Sequence, residues 1–147
     1  MRLLGRVGFY VVWPALVVYL WRSQRSRVLV QHEGQVLLVK NWLGDGKWSL
    51  PGGGMHAGEP IHTGAARELH EETGIVATDD QLELLRSEPY AFGPIHFNAH
   101  YFRLTMSERP SIRPQRFEIA EVCWMDAAAI EPEQVNDDVR RALDLVQ

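Results

Sequence analysis

Apolar and polar positions along the chain fall into short runs separated by glycine- and proline-bearing stretches. Residues 27–31 (RVLVQ) and 36–40 (VLLVK) read as two strands, with Glu33-Gly34 as the turn between them. Residues 41–47 (NWLGDGK) form a glycine-bearing loop, residues 48–50 alternate as a short strand, and Pro51 with three glycines follows. Pro60 suits the first residue of a helix and Gly74 the left-handed residue past its end, so about three helical turns fit between them. Residues 81–85 (QLELL) predict a short strand, followed by a turn at Pro89. Residues 95–105 (IHFNAHYFRLT) are the longest strand candidate, with Ile95, Phe97, Ala99 and Tyr101 on one face and His96 and His100 on the other. A loop over 107–116 leads to a last strand over 117–125. Asp126 caps a helical turn, and Asn136 caps a final helix whose apolar face is Val139, Ala142, Leu143 and Val146. Strands mixed with a central and a C-terminal helix predict an α/β protein with helices on both sheet faces.

The N-terminus does not fit this pattern. Residues 7–21 carry no charge, while Arg2, Arg6, Arg22, Arg25 and Arg27 flank them on both sides. A spanning helix needs about 20 apolar residues, Pro14 interrupts the run, and no small-residue cleavage site follows it. Three readings stay open: a helix packed on the domain or on a second copy in a homodimer, a helix lying in a membrane surface, and a span. The expected division is a leader helix over 1–25 and a domain over 26–147. That domain is expected to be cytoplasmic, with the leader able to hold it at a membrane.

A net charge of −4 argues against general binding of nucleic-acid duplexes, which calls for a basic face. It leaves nucleotides open, because bound cations can reverse the sign of a site locally. The single cysteine, Cys123, allows no internal disulfide and sits in an apolar run, as a buried thiol does more often than a nucleophile.

The chemistry concentrates in residues 53–75, GGMHAGEPIHTGAARELHEETGI. On the helix, Glu68, Glu71 and Glu72 stand at i, i+3 and i+4, so their carboxylates share one face and repel one another. Crowding them behind a glycine-rich loop is most simply read as a site for divalent cations, and hard oxygen donors suit magnesium or manganese better than zinc. Gly52-Gly53-Gly54 is no P-loop, since the Gly-Lys-Ser/Thr ending is missing. His70-Glu71-Glu72 opens no zinc-protease motif, because Gly74 stands where a second histidine is needed. A plain tight turn is the bland alternative for the glycines. His96 and His100 lack a third ligand and read as solvated or substrate-adjacent.

Gly53, Glu59, Arg67-Glu68, Glu71-Glu72 and Gly74, at this spacing, resemble the complete Nudix box. Seven such fixed residues, at roughly 6–7% usage each, coincide by chance about once in 10⁸ starts. The resemblance implies the Nudix fold, an α/β/α sandwich with a mixed sheet and a loop-helix-loop catalytic motif. It also implies a hydrolase that splits a pyrophosphate linkage in a nucleoside diphosphate joined to another moiety, such as a nucleoside triphosphate or ADP-ribose. Carried over by position, Glu68 and Glu72 become the principal Mg²⁺ ligands (Mn²⁺ substituting), Glu71 a further ligand or base, and the Gly52 carbonyl an additional ligand. Arg67 would orient the carboxylates and pair with Glu59. Glu118 resembles a further catalytic acid or base, with Glu121 as competitor. Similar small proteins often carry an aromatic- and arginine-rich leader helix.

For the substrate, Trp42, Tyr90, Phe92 and His96 are the aromatic candidates to stack on a base, each equally suited to core packing. A catalytically silent, nucleotide-binding regulatory domain is the alternative function, although such domains typically lose box carboxylates and this chain keeps them all.

Overall fold

The centre of the fold is a five-stranded sheet in which β1 (Ser23–His32) and β2 (Gln35–Asn41) each carry an unbroken apolar run. In these runs Val28, Leu29, Val30, Val36, Leu37, Leu38 and Val39 are at most 1% exposed. Successive strand side chains point to opposite faces, so unbroken burial means that both faces are covered. The computed structural model describes residues 23–42, 44–92, 95–114 and 118–147. The predicted leader helix lies outside the described residues as far as residue 22, and residues 23–25 already belong to β1.

The strand order is β3-β4-β1-β2-β5, with β3 at Glu83–Phe92, β4 at Ile95–Thr105 and β5 at Ile119–Asp126. β1 and β4 run parallel, from Ser23 opposite Phe97 to Gln31 opposite Thr105, and the remaining pairs are antiparallel. The Glu33-Gly34 turn joins β1 to β2 with both residues at positive φ, 46° and 79°, as a two-residue hairpin of matching twist requires.

Helix α1 (Ile61–Thr73) covers one sheet face and α2 (Asp137–Asp144) the other. Ala65 and Leu69 of α1 pack with Val28, Val30, Leu37, Phe102 and Leu104. Val139 and Ala142 of α2 pack with Leu29, Val36, Leu38, Ala99 and Tyr101. The result is the expected sandwich of helix, mixed sheet and helix. Gly74 ends α1 at φ 78°, its N–H bonded to the His70 carbonyl, and a Cβ there would lie 2.6 Å from the Arg113 carbonyl oxygen. Among the described residues no helix is long and apolar enough to cross a membrane.

Several elements differ from the sequence reading. Pro89 makes no turn: β3 runs through it, opposite Asn98. A proline is tolerated there because β3 is an edge strand and its outward position needs no ladder donor. The predicted strand over 81–85 starts only at Glu83, because Asp79–Gln81 closes a 3-10 turn in which the Thr78 N–H donates to Gln81 Oε1. α1 starts at Ile61, leaving Pro60 as its N-cap. Asn136 holds the N-cap position of α2, but its side chain donates to Ser49 Oγ at 2.8 Å. His100 is not solvated; it is 7% exposed and bonded to Ser87 Oγ and Gln24 Oε1.

The predicted strand over 48–50 is part of a longer insertion that positions the site. β1 and β2 part beyond their hairpin, and residues 48–55 fill the wedge between them. The segment bonds β2 through Ser49 and Val39, each N–H donating to the other's carbonyl. It bonds β1 through Val28 N–H to the Pro51 carbonyl, Ser26 N–H to Gly53 and Met55 N–H to Gln24. The glycine loop is therefore held in the plane of the sheet.

Candidate active site

Glycine is required where the wedge passes β1. Gly52 has φ 139°, and a Cβ on it would stand 2.3 Å from the Ser26 carbonyl oxygen. A Cβ on Gly53 would stand 2.4 Å from Glu68 Oε2. The loop thus brings bare backbone against the acidic face of α1.

Of the three helix carboxylates, Glu68 and Glu72 are buried, at 2% and 5% exposure, while the Glu71 side chain is about a quarter exposed, at 27%. Glu72 Oε2 accepts from the Gly52 N–H at 2.7 Å. Burial pushes the Glu72 carboxyl up to about 7; the charges of Glu68 and Glu118 add to the rise, while the Gly52 N–H and Arg27 oppose it. Arg67 ties the cluster together. Its Nε and Nη2 donate to the two Glu59 oxygens at 2.9 Å each, its Nη1 donates to Glu68 Oε1 at 2.6 Å, and Glu71 Oε1 lies at 3.5 Å. Nη2 also donates to the Gly54 carbonyl at 3.1 Å. These bonds hold the Glu59 carboxyl down at about 2. One guanidinium therefore links loop, helix and two carboxylates.

The Gly52 carbonyl, a predicted ligand, accepts from Arg27 Nη1 at 2.6 Å. A carbonyl oxygen has two lone pairs, so one stays available. Arg27 Nε in turn pairs with Asp138 Oδ2 at 2.9 Å, and the Leu50 N–H donates to the same oxygen at 3.2 Å. A chain of contacts thus runs from α2 through β1 to the loop and on to Glu72. Arg27 and Asp138 escaped the sequence reading. The available signal was an arginine at the head of the apolar run Val28-Leu29-Val30.

Outside the box, Glu118 is exposed, and its charge bears on Glu72. Glu121 instead pairs with Lys40 at 3.5 Å. Cys123 is half-buried, and burial pushes its thiol up, away from nucleophilic character.

The substrate candidates are not brought together. Tyr90 lines a cleft of about 290 Å³ on the α2 side of the sheet, with Arg25, Arg27, Phe97, Tyr101 and Asp138. It packs on Phe97 at 5.0 Å between ring centres and lies under the Arg141 guanidinium. Trp42 is 72% exposed, and its backbone N–H donates to the Glu118 carbonyl, so it belongs to the β2–β5 side. His96 is exposed on β4, and the Phe92 side chain lies outside the described residues.

Three carboxylates and a carbonyl form a donor set of hard oxygens, which fits Mg²⁺ or Mn²⁺. Among the described residues no three His, Cys, Asp or Glu side chains already stand together around an ion position. Mg²⁺ does not require it, since one or two carboxylates with water and substrate oxygens complete its shell.

The NUDIX domain family model matches residues 15–146. The chain is similar to Nudix hydrolase 2 of Arabidopsis thaliana, 37% identical over 103 residues, which cover 66% of this chain but 36% of that protein. It is similar to the oxidized purine nucleoside triphosphate hydrolase of Danio rerio, 36% identical over 112 residues, covering 67% of this chain and 70% of that one. In fold it matches the crystal structure of a MutT NUDIX hydrolase from Burkholderia pseudomallei with a TM-score of 0.75 at 22% identity, covering 86% of this chain and 98% of that one. Box, sandwich and matches agree, and the chain belongs to the NUDIX domain family.

Proposed function

We propose that the chain is a Mg²⁺-dependent pyrophosphohydrolase acting on a nucleoside diphosphate joined to another group, a nucleoside triphosphate or ADP-ribose. The observation that carries this reading is the complete acidic set, Glu59, Glu68, Glu71 and Glu72, bound up by Arg67 against the Gly52-Gly53 loop. The similarity to the Danio rerio enzyme favours a nucleoside triphosphate.

A divalent cation held there would neutralise phosphate charge and lower the pKa of bound water. Glu68 and Glu72 would hold it, with Glu71 as further ligand or base and the Gly52 carbonyl as additional oxygen. Arg67 keeps Glu68 in place, and the Gly52 N–H does the same for Glu72. Glu118 is the better candidate outside the box, because its charge reaches Glu72 while Glu121 is engaged by Lys40. The nucleoside would lie in the cleft against Tyr90 and Phe97, next to the loop that Arg27 anchors.

The test is a nucleotide screen with phosphate and pyrophosphate detection. Hydrolysis is expected with Mg²⁺ or Mn²⁺ and not in chelator, with no specific need for Zn²⁺. Full turnover in excess chelator would overturn the mechanism. Binding without hydrolysis of any nucleotide would replace it with the silent regulatory domain.

A further inference from the structure

The cleft holds more positive charge than a neutral nucleoside calls for. Arg25, Arg27, Lys47 and Arg140 line it, opposed by Asp137 and Asp138. Two of these cations have carboxylate partners, Arg27 with Asp138 and Arg140 with Asp137, and Lys47 is exposed to water. Arg25 is different. Among the described residues no carboxylate stands within ion-pair distance of it, and its guanidinium lies 5.5 Å from the centre of the Phe97 ring. Burial lowers its affinity for its proton, and the neighbouring Arg27 charge lowers it further. A half-buried guanidinium without a carboxylate beside it gains from an anion that a ligand supplies.

Its place in the fold says which anion. Arg25 bridges Gly54 across the wedge, between the Ser26–Gly53 and Gln24–Met55 backbone bonds, and it feels the charge of Glu68. It therefore stands where the aromatic cleft meets the carboxylates of α1. Its planar fork of donors matches two phosphate oxygens, which a lysine ammonium does not.

We propose that Arg25 is a substrate-binding residue whose guanidinium takes the phosphate joining the nucleoside in the cleft to the linkage at Glu68 and Glu72. This rests on the pyrophosphohydrolase reading. It adds a recognition element: Arg25 takes that phosphate without metal.

The experiment is calorimetric titration of the full chain with ADP and with inorganic pyrophosphate, in chelator and at low salt, followed by nucleotide turnover in Mg²⁺. Arg25→Met is expected to weaken ADP binding on the order of 10- to 100-fold, and Arg25→Lys by less, since it keeps charge but loses the fork. Arg103→Met, outside the cleft and already paired with Glu83, should change binding less than about threefold. The proposal is overturned if Arg25→Met binds both probes within about twofold of wild type, if wild type binds neither, or if Arg103→Met loses as much. Should Arg25→Met not fold, Arg25→Lys decides on the same terms. Normal wild-type turnover with unchanged Arg25→Met binding sinks the Arg25 role alone. Absence of wild-type turnover on every nucleotide sinks the hydrolase reading, whatever Arg25 binds.

Discussion

Replacing Glu72 by Gln should stabilise the metal-free protein above neutral pH and not in acid. Glu72 is 5% exposed, and its carboxyl is pushed from 4.5 to about 7 in the folded chain. Between those values the folded state holds a proton that the unfolded state has lost. Stability therefore falls as pH rises through this window and levels off above it. At about 1.4 kcal/mol per unit, ionising Glu72 costs the fold about 3 kcal/mol above the window. Gln keeps the size and an oxygen for the Gly52 N–H, but buries an amide NH₂ that takes back about 1–2 kcal/mol if unpaired. With that penalty the variant should gain about 1–2 kcal/mol at about pH 8 and lose about 1–2 kcal/mol at about pH 4, where the wild-type carboxyl is protonated. Denaturant unfolding of both proteins in chelator at the two pH values measures this, and comparing them cancels all other titrations. A variant-minus-wild-type difference equal at both pH values, within about 0.5 kcal/mol, would refute the reasoning.

Leu69→Ala removes a side chain that is 0% exposed in the α1 cluster, and should cost about 2–5 kcal/mol in a denaturant melt. Turnover of the folded fraction should fall only as far as α1 shifts. Gly52→Ala puts a Cβ 2.3 Å from the Ser26 carbonyl at φ 139° and should cost at least about 2 kcal/mol by the same melt. It should also lower turnover in the protein that still folds, because the Gly52 N–H and carbonyl are displaced from Glu72 and Arg27.

The sequence carried the acidic helix well, because a glycine, a proline and three carboxylates at helical spacing are local signals. The Glu33-Gly34 hairpin was readable for the same reason. β3 was misread at Pro89 because tolerance of a proline there depends on which strand ends up at the sheet edge. The wedge over 48–55 reads in the sequence as a short strand and a glycine-rich stretch, since its partners on β1 and β2 are fixed only when the sheet assembles. Arg25, Arg27 and Asp138 were invisible as site residues. Their roles come from contacts across long stretches of chain, and Asp138 reads locally as an acidic first turn of α2. Trp42, chosen for its ring, proved to be a surface residue away from the cleft.

The central claim, that the α1 carboxylates carry the chemistry, is tested most directly by turnover of Glu68→Gln and Glu72→Gln at saturating Mg²⁺, on the nucleotide that wild type hydrolyses fastest. Both variants should stay folded by circular dichroism and thermal melt, while kcat falls by a factor on the order of 10²–10⁴. Near-wild-type turnover in a folded Glu72→Gln protein would contradict the claim and leave the acidic face of α1 without a catalytic role.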